Sequence, residues 1–278
     1  MKRRTTVLIS VAVLITSGGA YLGHRIADGG KITEVGVNEA LDRYREQTAT
    51  TPSAPPDTAS PGTVQAATTT AAAPVTVSLP APGVYQYATT GFDQIDALTG
   101  ARHDYPAVTT ITVVPYGCGV RLRWDIAVER WDSWDWCLDN NAIRQTGLVG
   151  YHEFFGTSGR NDNTCSGDPR PLDASPGTTW TMRCHMGDRT TSTFTGTVIE
   201  RTTRSVAGTT IPVLHLRYEV DVTGESTGSQ TVEGWYRSTD GLPVREQLTI
   251  TTKQDTVIGT TNFDETYTID LMTPVPAA

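Results

Sequence analysis

His152 and Glu153 are adjacent, and a His-Glu pair is the first combination in this chain that could support hydrolytic chemistry. A zinc-protease helix carries a second His four residues after the first, so that two imidazoles share one face and the Glu acts as base. Position 156 is Gly156, and Tyr151, Phe154 and Phe155 around the pair suit a strand packed by aromatic rings. Nucleophilic catalysis has no clearer signature. A G-x-S-x-G elbow is absent, and Gly156-Thr157-Ser158-Gly159 has the wrong spacing. Ser, Asp and His are scattered rather than clustered, so no catalytic residue is assigned. A pocket gathering His152, His185 or His215 with a carboxylate would reopen a hydrolase reading.

Two polar clusters could offer oxygen atoms to a cation. Asp132, Asp135 and Asp139 bracket tryptophans, and Asn161, Asp162, Asn163 and Asp168 lie beside Cys165. Calcium takes such ligands, but the EF-hand pattern is missing and polar loops commonly look like this. We expect no metal and no cofactor. Trp124, Trp131, Trp134 and Trp136 crowd into one short stretch. Successive side chains of a strand face opposite sides, so the four cannot all enter one core. With Trp124 inward, at least one other is left partly exposed, where it could stack on a sugar or fill a partner's pocket. Trp131, Trp134 and Trp136 are therefore the candidate binding residues, against the plainer alternative of cross-strand packing. Arg121 and Arg123 are expected to pair with Asp132 or Asp135 across the same hairpin, for a modest surface contribution.

Cys118, Cys137, Cys165 and Cys184 form no C-x-x-C pair, which disfavours structural zinc and redox motifs. An even number outside the membrane favours two disulfides. Three pairings are possible; the equal gaps within Cys118/Cys137 and Cys165/Cys184 select the sequential one. Each bridge would close a loop worth about 3 kcal/mol on a chain-entropy account. The formal net charge is −8, and no basic stripe follows the N-terminal segment, which excludes nucleic acid as the expected partner.

The rest of the chain must position these groups. Lys2, Arg3 and Arg4 precede an uncharged run from Thr5 to Gly23. As a helix that run would span about 28 Å, close to the hydrocarbon thickness of a bilayer, with the basic cluster left in the cytoplasm. The chain reads as a single-pass protein of the cell membrane, anchored through residues 5–23, its C-terminal domain extracytoplasmic. The rival is a signal peptide cut after Ala20. Residues 1–25 thus form a cytoplasmic stub and anchor. In 26–47, a juxtamembrane helix is expected: Ile32, Val35, Leu41 and Tyr44 recur at near-helical spacing, with Glu34 and Glu39 early and Arg43 and Arg45 late. It would act as a spacer or rest on lipid, with docking to a membrane protein partner as the sharper alternative. Residues 48–82 are nearly all Thr, Ala, Pro, Ser, Gly and Val, and read as a disordered linker.

From residue 83 to 278 the period is two. Val120, Leu122, Trp124, Ile126 and Val128 alternate with polar or small residues, as do Leu214, Leu216, Tyr218, Val220 and Val222. Phe263, Tyr267, Ile269 and Leu271 share one parity, and Thr239-Asp240-Gly241 is a hairpin turn. The expectation is an all-β domain: one antiparallel, strongly curved sheet forming a half-barrel, a barrel or a sandwich.

Six segments, VGVNEALDRYRE (35–46), ARHDYP (101–106), GCGVRLRWD (117–125), ERWDSWDWC (129–137), YHEFFG (151–156) and GWYRSTDGLPVRE (234–246), together resemble a group of uncharacterised membrane-anchored actinobacterial proteins. The last is also similar to a late hairpin of lipoprotein-carrier-like half-barrels, which implies a curved sheet around an apolar cavity. The reading that follows is non-catalytic binding of an apolar ligand or an envelope component. The alternatives are an accessory or sensor subunit of a membrane complex, and an extracellular hydrolase.

Overall fold

The computed structural model describes residues 30–49, 77–97, 100–256 and 259–278. The anchor at 5–23 and most of the linker lie outside the described residues. No helix among the described residues is long and apolar enough to cross a membrane.

Among the described residues one helix, α1 (Val37–Ala49), precedes fourteen strands. These are β1 (Gly83–Ile95), β2 (Ala101–Asp104), β3 (Val108–Tyr116), β4 (Gly119–Asp125), β5 (Arg130–Asp139), β6 (Ala142–Phe154) and β7 (Thr157–Gly167). Then follow β8 (Arg170–Pro171), β9 (Thr179–Met186), β10 (Thr190–Val206), β11 (Thr209–Gly224), β12 (Ser226–Arg237), β13 (Pro243–Thr256) and β14 (Gly259–Leu271). Neighbours pair antiparallel, and β1 also pairs with β14, from Tyr87↔Leu271 to Ile95↔Phe263. That pairing closes the sheet into a twelve-stranded barrel, with β2 and β8 as short additions. Of the shapes left open by the sequence, full closure is the one adopted; it removes most of the exposed strand edge.

The alternating runs do what their period dictates. On β11, Leu214, Leu216, Tyr218, Val220 and Val222 are buried, with Arg217, Glu219 and Asp221 exposed between the last four. Trp124, Tyr85, Tyr87, Ile111, Leu122 and Ile269 join them in one continuous core cluster. Two glycines make room for it: a Cβ at Gly196 would collide with the Trp180 ring, and one at Gly234 with the Tyr236 ring. Two of the polar groups reaching into this core find partners close by. The Tyr87 hydroxyl donates to the Pro243 carbonyl at 2.8 Å, and Trp124 Nε1 to Thr109 Oγ1 at 2.8 Å.

Four details depart from the sequence reading. The run through Val128 ends early: β4 stops at Asp125, and Val128 is exposed in the turn to β5. The helix starts later than expected, because Thr33 and Glu34 are extended against that same turn, Thr33 bonding Glu129 and Val128 and Glu34 bridging Ala127. Its first hydrogen bond runs from the Ala40 amide to the Gly36 carbonyl, and its last turn holds no basic residue. Nor does α1 stand apart. It lies against β1 and β3, buries Ala40, and Arg43 reaches the buried Asp125 at 2.7 Å. Residues 77–82 likewise belong to the domain: Val77 is in the core cluster, and the Ser78 amide donates to Thr239.

The disulfides join Cys118 to Cys137 and Cys165 to Cys184. The first lies at the open end of the β4–β5 hairpin, where Gly119 pairs with Cys137. The second sits within the seam between β7 and β9, which consists of Thr164↔His185, Cys165↔Cys184, Ser166↔Arg183 and Gly167↔Met182.

Candidate functional site

Cross-strand register places a row of charged side chains inside one end of the barrel. His103 on β2, Asp93 on β1 and Glu265 on β14 are successive partners, so all three face inward. Opposite them, Arg130 on β5 and His152 on β6 are also direct partners. The two rows meet across the barrel. Arg130 Nη2 donates to Glu265 Oε1 at 2.8 Å and Oε2 at 3.1 Å, and its Nε lies 3.5 Å from Asp93 Oδ2. Asp132 takes the guanidinium bidentately at 2.6 and 2.8 Å, and the Tyr105 hydroxyl donates to Glu265 Oε1 at 2.5 Å. Phe154 stacks flat on His103, 4.3 Å between centroids, and the Phe263 ring stands edge-on to His152 at 4.9 Å. The end of β6 thereby packs against β2 and β14.

The electrostatics follow from burial and partners. Asp93 is fully buried, which alone would raise its carboxyl; His103, His152 and Arg130 outweigh that and hold it well below the usual carboxylate range. Burial pushes Glu265 up, opposed by Arg130 and reinforced by Asp132 and Asp93. Burial would lower Arg130, but Asp132 and Glu265 keep it firmly charged. Three carboxyl groups thus face one guanidinium and two imidazoles. Satisfaction is incomplete: His103 Nδ1 is 2.9 Å from Asp93 Oδ1 but off the line of a good hydrogen bond, so both atoms are unpartnered.

The next part of the inner wall is apolar. Met182, Phe194, Val220, Gln230, Ile250 and Glu265 are consecutive cross-strand partners and share the inward face. Deeper rows are buried, but here Met182, Phe194, Gln230 and Ile250 are only half-buried, as is Phe263. The result is a mouth with half-exposed apolar walls and a charged side.

His152 is the one member of the charged rows open enough to meet a ligand, with 22% of its side chain exposed. Its Nδ1 lies 3.3 Å from Asp93 Oδ2, the arrangement of a base and its orienting acid. Among the described residues no hydroxyl or thiol hydrogen-bonds to its ring. His185 and His215 are elsewhere, bonded to Thr191 and to Glu233 respectively. The acidic residues picked from the sequence do not converge either. Asp135 pairs with Arg121, Asp139 with Arg144, Asp162 with Arg160, and Asp168 accepts the Thr181 amide. Among the described residues no group of three His, Cys, Asp or Glu is placed to hold a metal.

The three tryptophans separate. Trp136 is in the core cluster and Trp134 packs against it. Trp131 faces outward, stacked on Tyr151 at 5.4 Å with the Arg123 guanidinium 3.8 Å from its centroid. Arg121 reaches Asp135 as expected, whereas Arg123 bonds Asp125 and Asp132 turns inward to Arg130. Sequence reading passed over Asp93, His103, Arg130 and Glu265. Glu265 carried a usable signal: it sits at the inward parity between Phe263 and Tyr267, a charge on a dry face.

No protein-family model matches the chain, and no curated protein matches it. Among solved structures it is similar to the hypothetical lipoprotein YmcC of Escherichia coli, at 12% identity and TM-score 0.32, over 69% of this chain and 86% of that one. A Parabacteroides distasonis protein assigned as a lipoprotein aligns at 10% identity and TM-score 0.28, over 70% and 97% of the two chains. A Bacteroides fragilis protein assigned as exported, with a YmcC-like fold, aligns at 9% identity and TM-score 0.28, over 71% and 98%. None of these overlaps is close enough to transfer a role.

Proposed function

We propose that this chain is an extracytoplasmic, membrane-tethered, non-enzymatic protein whose barrel mouth holds the apolar part of an amphipathic envelope ligand. The observation that carries this reading is the half-buried inward set Phe194, Ile250 and Phe263, beside a barrel interior otherwise filled by its own side chains. Apolar side chains left in contact with water on a concave face are where an alkyl or isoprenoid chain gains most from transfer. The two disulfides suit an oxidising compartment, and the run at 5–23 supplies the tether.

The test is titration of the full-length protein, in a detergent-free nanodisc, with the fluorescent fatty acid cis-parinaric acid. Saturable binding is expected, weakened about tenfold by Ile250→Asp, which places a carboxylate in the path of the chain. Absence of saturable binding, or equal binding by the variant, would overturn the reading.

A further inference from the structure

Where neighbouring strands of the barrel are staggered, edges stay unpaired, and β7 carries one of them. Thr157 to Asn163 pair with β6 alone, because β9 joins β7 only from Thr164 onward. These seven residues are exposed or half-exposed on both faces. Every second backbone N–H and C=O of such an edge points away from the sheet and can be satisfied by an added strand.

The side chains on this edge specify what that strand should be. Arg160 and Asp162 flank Asn161, share one face of the strand, and bond each other at 2.8 Å. Set a second copy of the segment antiparallel to the first, with the two Asn161 residues opposite one another. Arg160 then faces Asp162 of the second copy, and Asp162 faces Arg160, so both cross-strand positions pair opposite charges. On the other face Gly159 meets Asn163, and a residue without a side chain leaves space for the amide. Charges on an edge ordinarily discourage pairing; in this order they reward pairing with themselves. A two-fold axis requires such self-complementarity.

We infer that β7 is a self-association edge, at which two copies of this chain join antiparallel about Asn161 into one continuous sheet. The contact is separate from the mouth's apolar wall, and it leaves the outward Trp131–Tyr151 stack beside the joint, where Arg160 lies 5.6 Å from the Trp131 ring.

Charge reversal tests the register. The full-length protein in nanodiscs carrying one chain each, mixed at increasing concentration, should dimerise by analytical ultracentrifugation. Arg160→Asp alone and Asp162→Arg alone each place like charges opposite, and each should weaken association by about tenfold or more. The double variant Arg160→Asp/Asp162→Arg restores opposite charges at both positions and should recover it. Circular dichroism and thermal melting of each variant separate loss of association from loss of fold, and both singles lie on exposed positions where folding is expected to persist. A wild-type protein that stays monomeric, singles that associate as well as wild type, or a folded double variant that fails to recover would each overturn the inference.

Discussion

Two glutamates on neighbouring strands point into this barrel under different terms. Glu265 on β14 faces a guanidinium, Arg130, and shares it with Asp93 and Asp132. Glu246 on β13 is held by hydroxyls, accepting from Tyr236 at 2.5 Å and from Tyr267 at 2.6 Å. The nearest guanidinium, Arg170, lies over the Trp136 and Tyr236 rings instead, its Nη1 3.5 Å from the Tyr218 hydroxyl. Burial pushes both carboxyls up, and at Glu246 the two tyrosine hydroxyls and Arg170 oppose it. The difference is in what each end needs. The Glu265 end needs its cation, whereas the Glu246 end is satisfied by hydroxyl donors. A buried cluster that depends on charge balance is costly to break, while one built on neutral donors tolerates an isosteric amide.

The largest expected effect is therefore at Arg130. Arg130→Met strands Asp93, Asp132 and Glu265 without their cation and should cost about 3–5 kcal/mol in urea unfolding. A loss under about 1 kcal/mol would erase the distinction between the two ends. Asp93→Asn comes next, at about 2 kcal/mol near neutral pH. Because its folded pKa is depressed, Asp93 stabilises the fold above the ordinary value of 3.8, and the contribution is lost as pH falls from there. The variant and wild-type stability curves should converge in acid. Glu246→Gln should show the opposite slope. Its raised pKa means the folded state holds a proton that the unfolded state releases near 4.5, so wild-type stability falls as pH rises above that value. The amide escapes this loss and should be more stable by about 1 kcal/mol at pH 8, merging with wild type near pH 4. The smallest effect is expected from Tyr236→Phe, which removes one of two donors to Glu246, at about 1 kcal/mol or less. A larger loss there than at Asp93 would invert the comparison.

The same contrast explains what could be read beforehand. The strands were legible because Leu214 to Val222 and Val120 to Trp124 alternate without interruption, and Gly241, with φ at +74°, takes up the turn that Thr239-Asp240-Gly241 announced. Closure was not, because pairing of β1 with β14 depends on strand tilt and register summed round the ring, which no local pattern encodes. The charged rows were hidden for a related reason. Asp93 and Arg130 meet only through the closed geometry, and each alone looks like an ordinary polar residue. Among the tryptophans, parity sends Trp134 and Trp136 toward the core and leaves Trp131 outside under Arg123.

The pairing of β1 with β14 also sets a timetable. The ring is sealed by the barrel strands furthest apart in the chain, so every strand between them must be available before the last hydrogen bonds can form. Contacts of such long range are formed slowly. A chain that cannot seal until β14 is delivered remains open until its last strand is made, and the Cys165–Cys184 bridge then spans the narrow seam between β7 and β9.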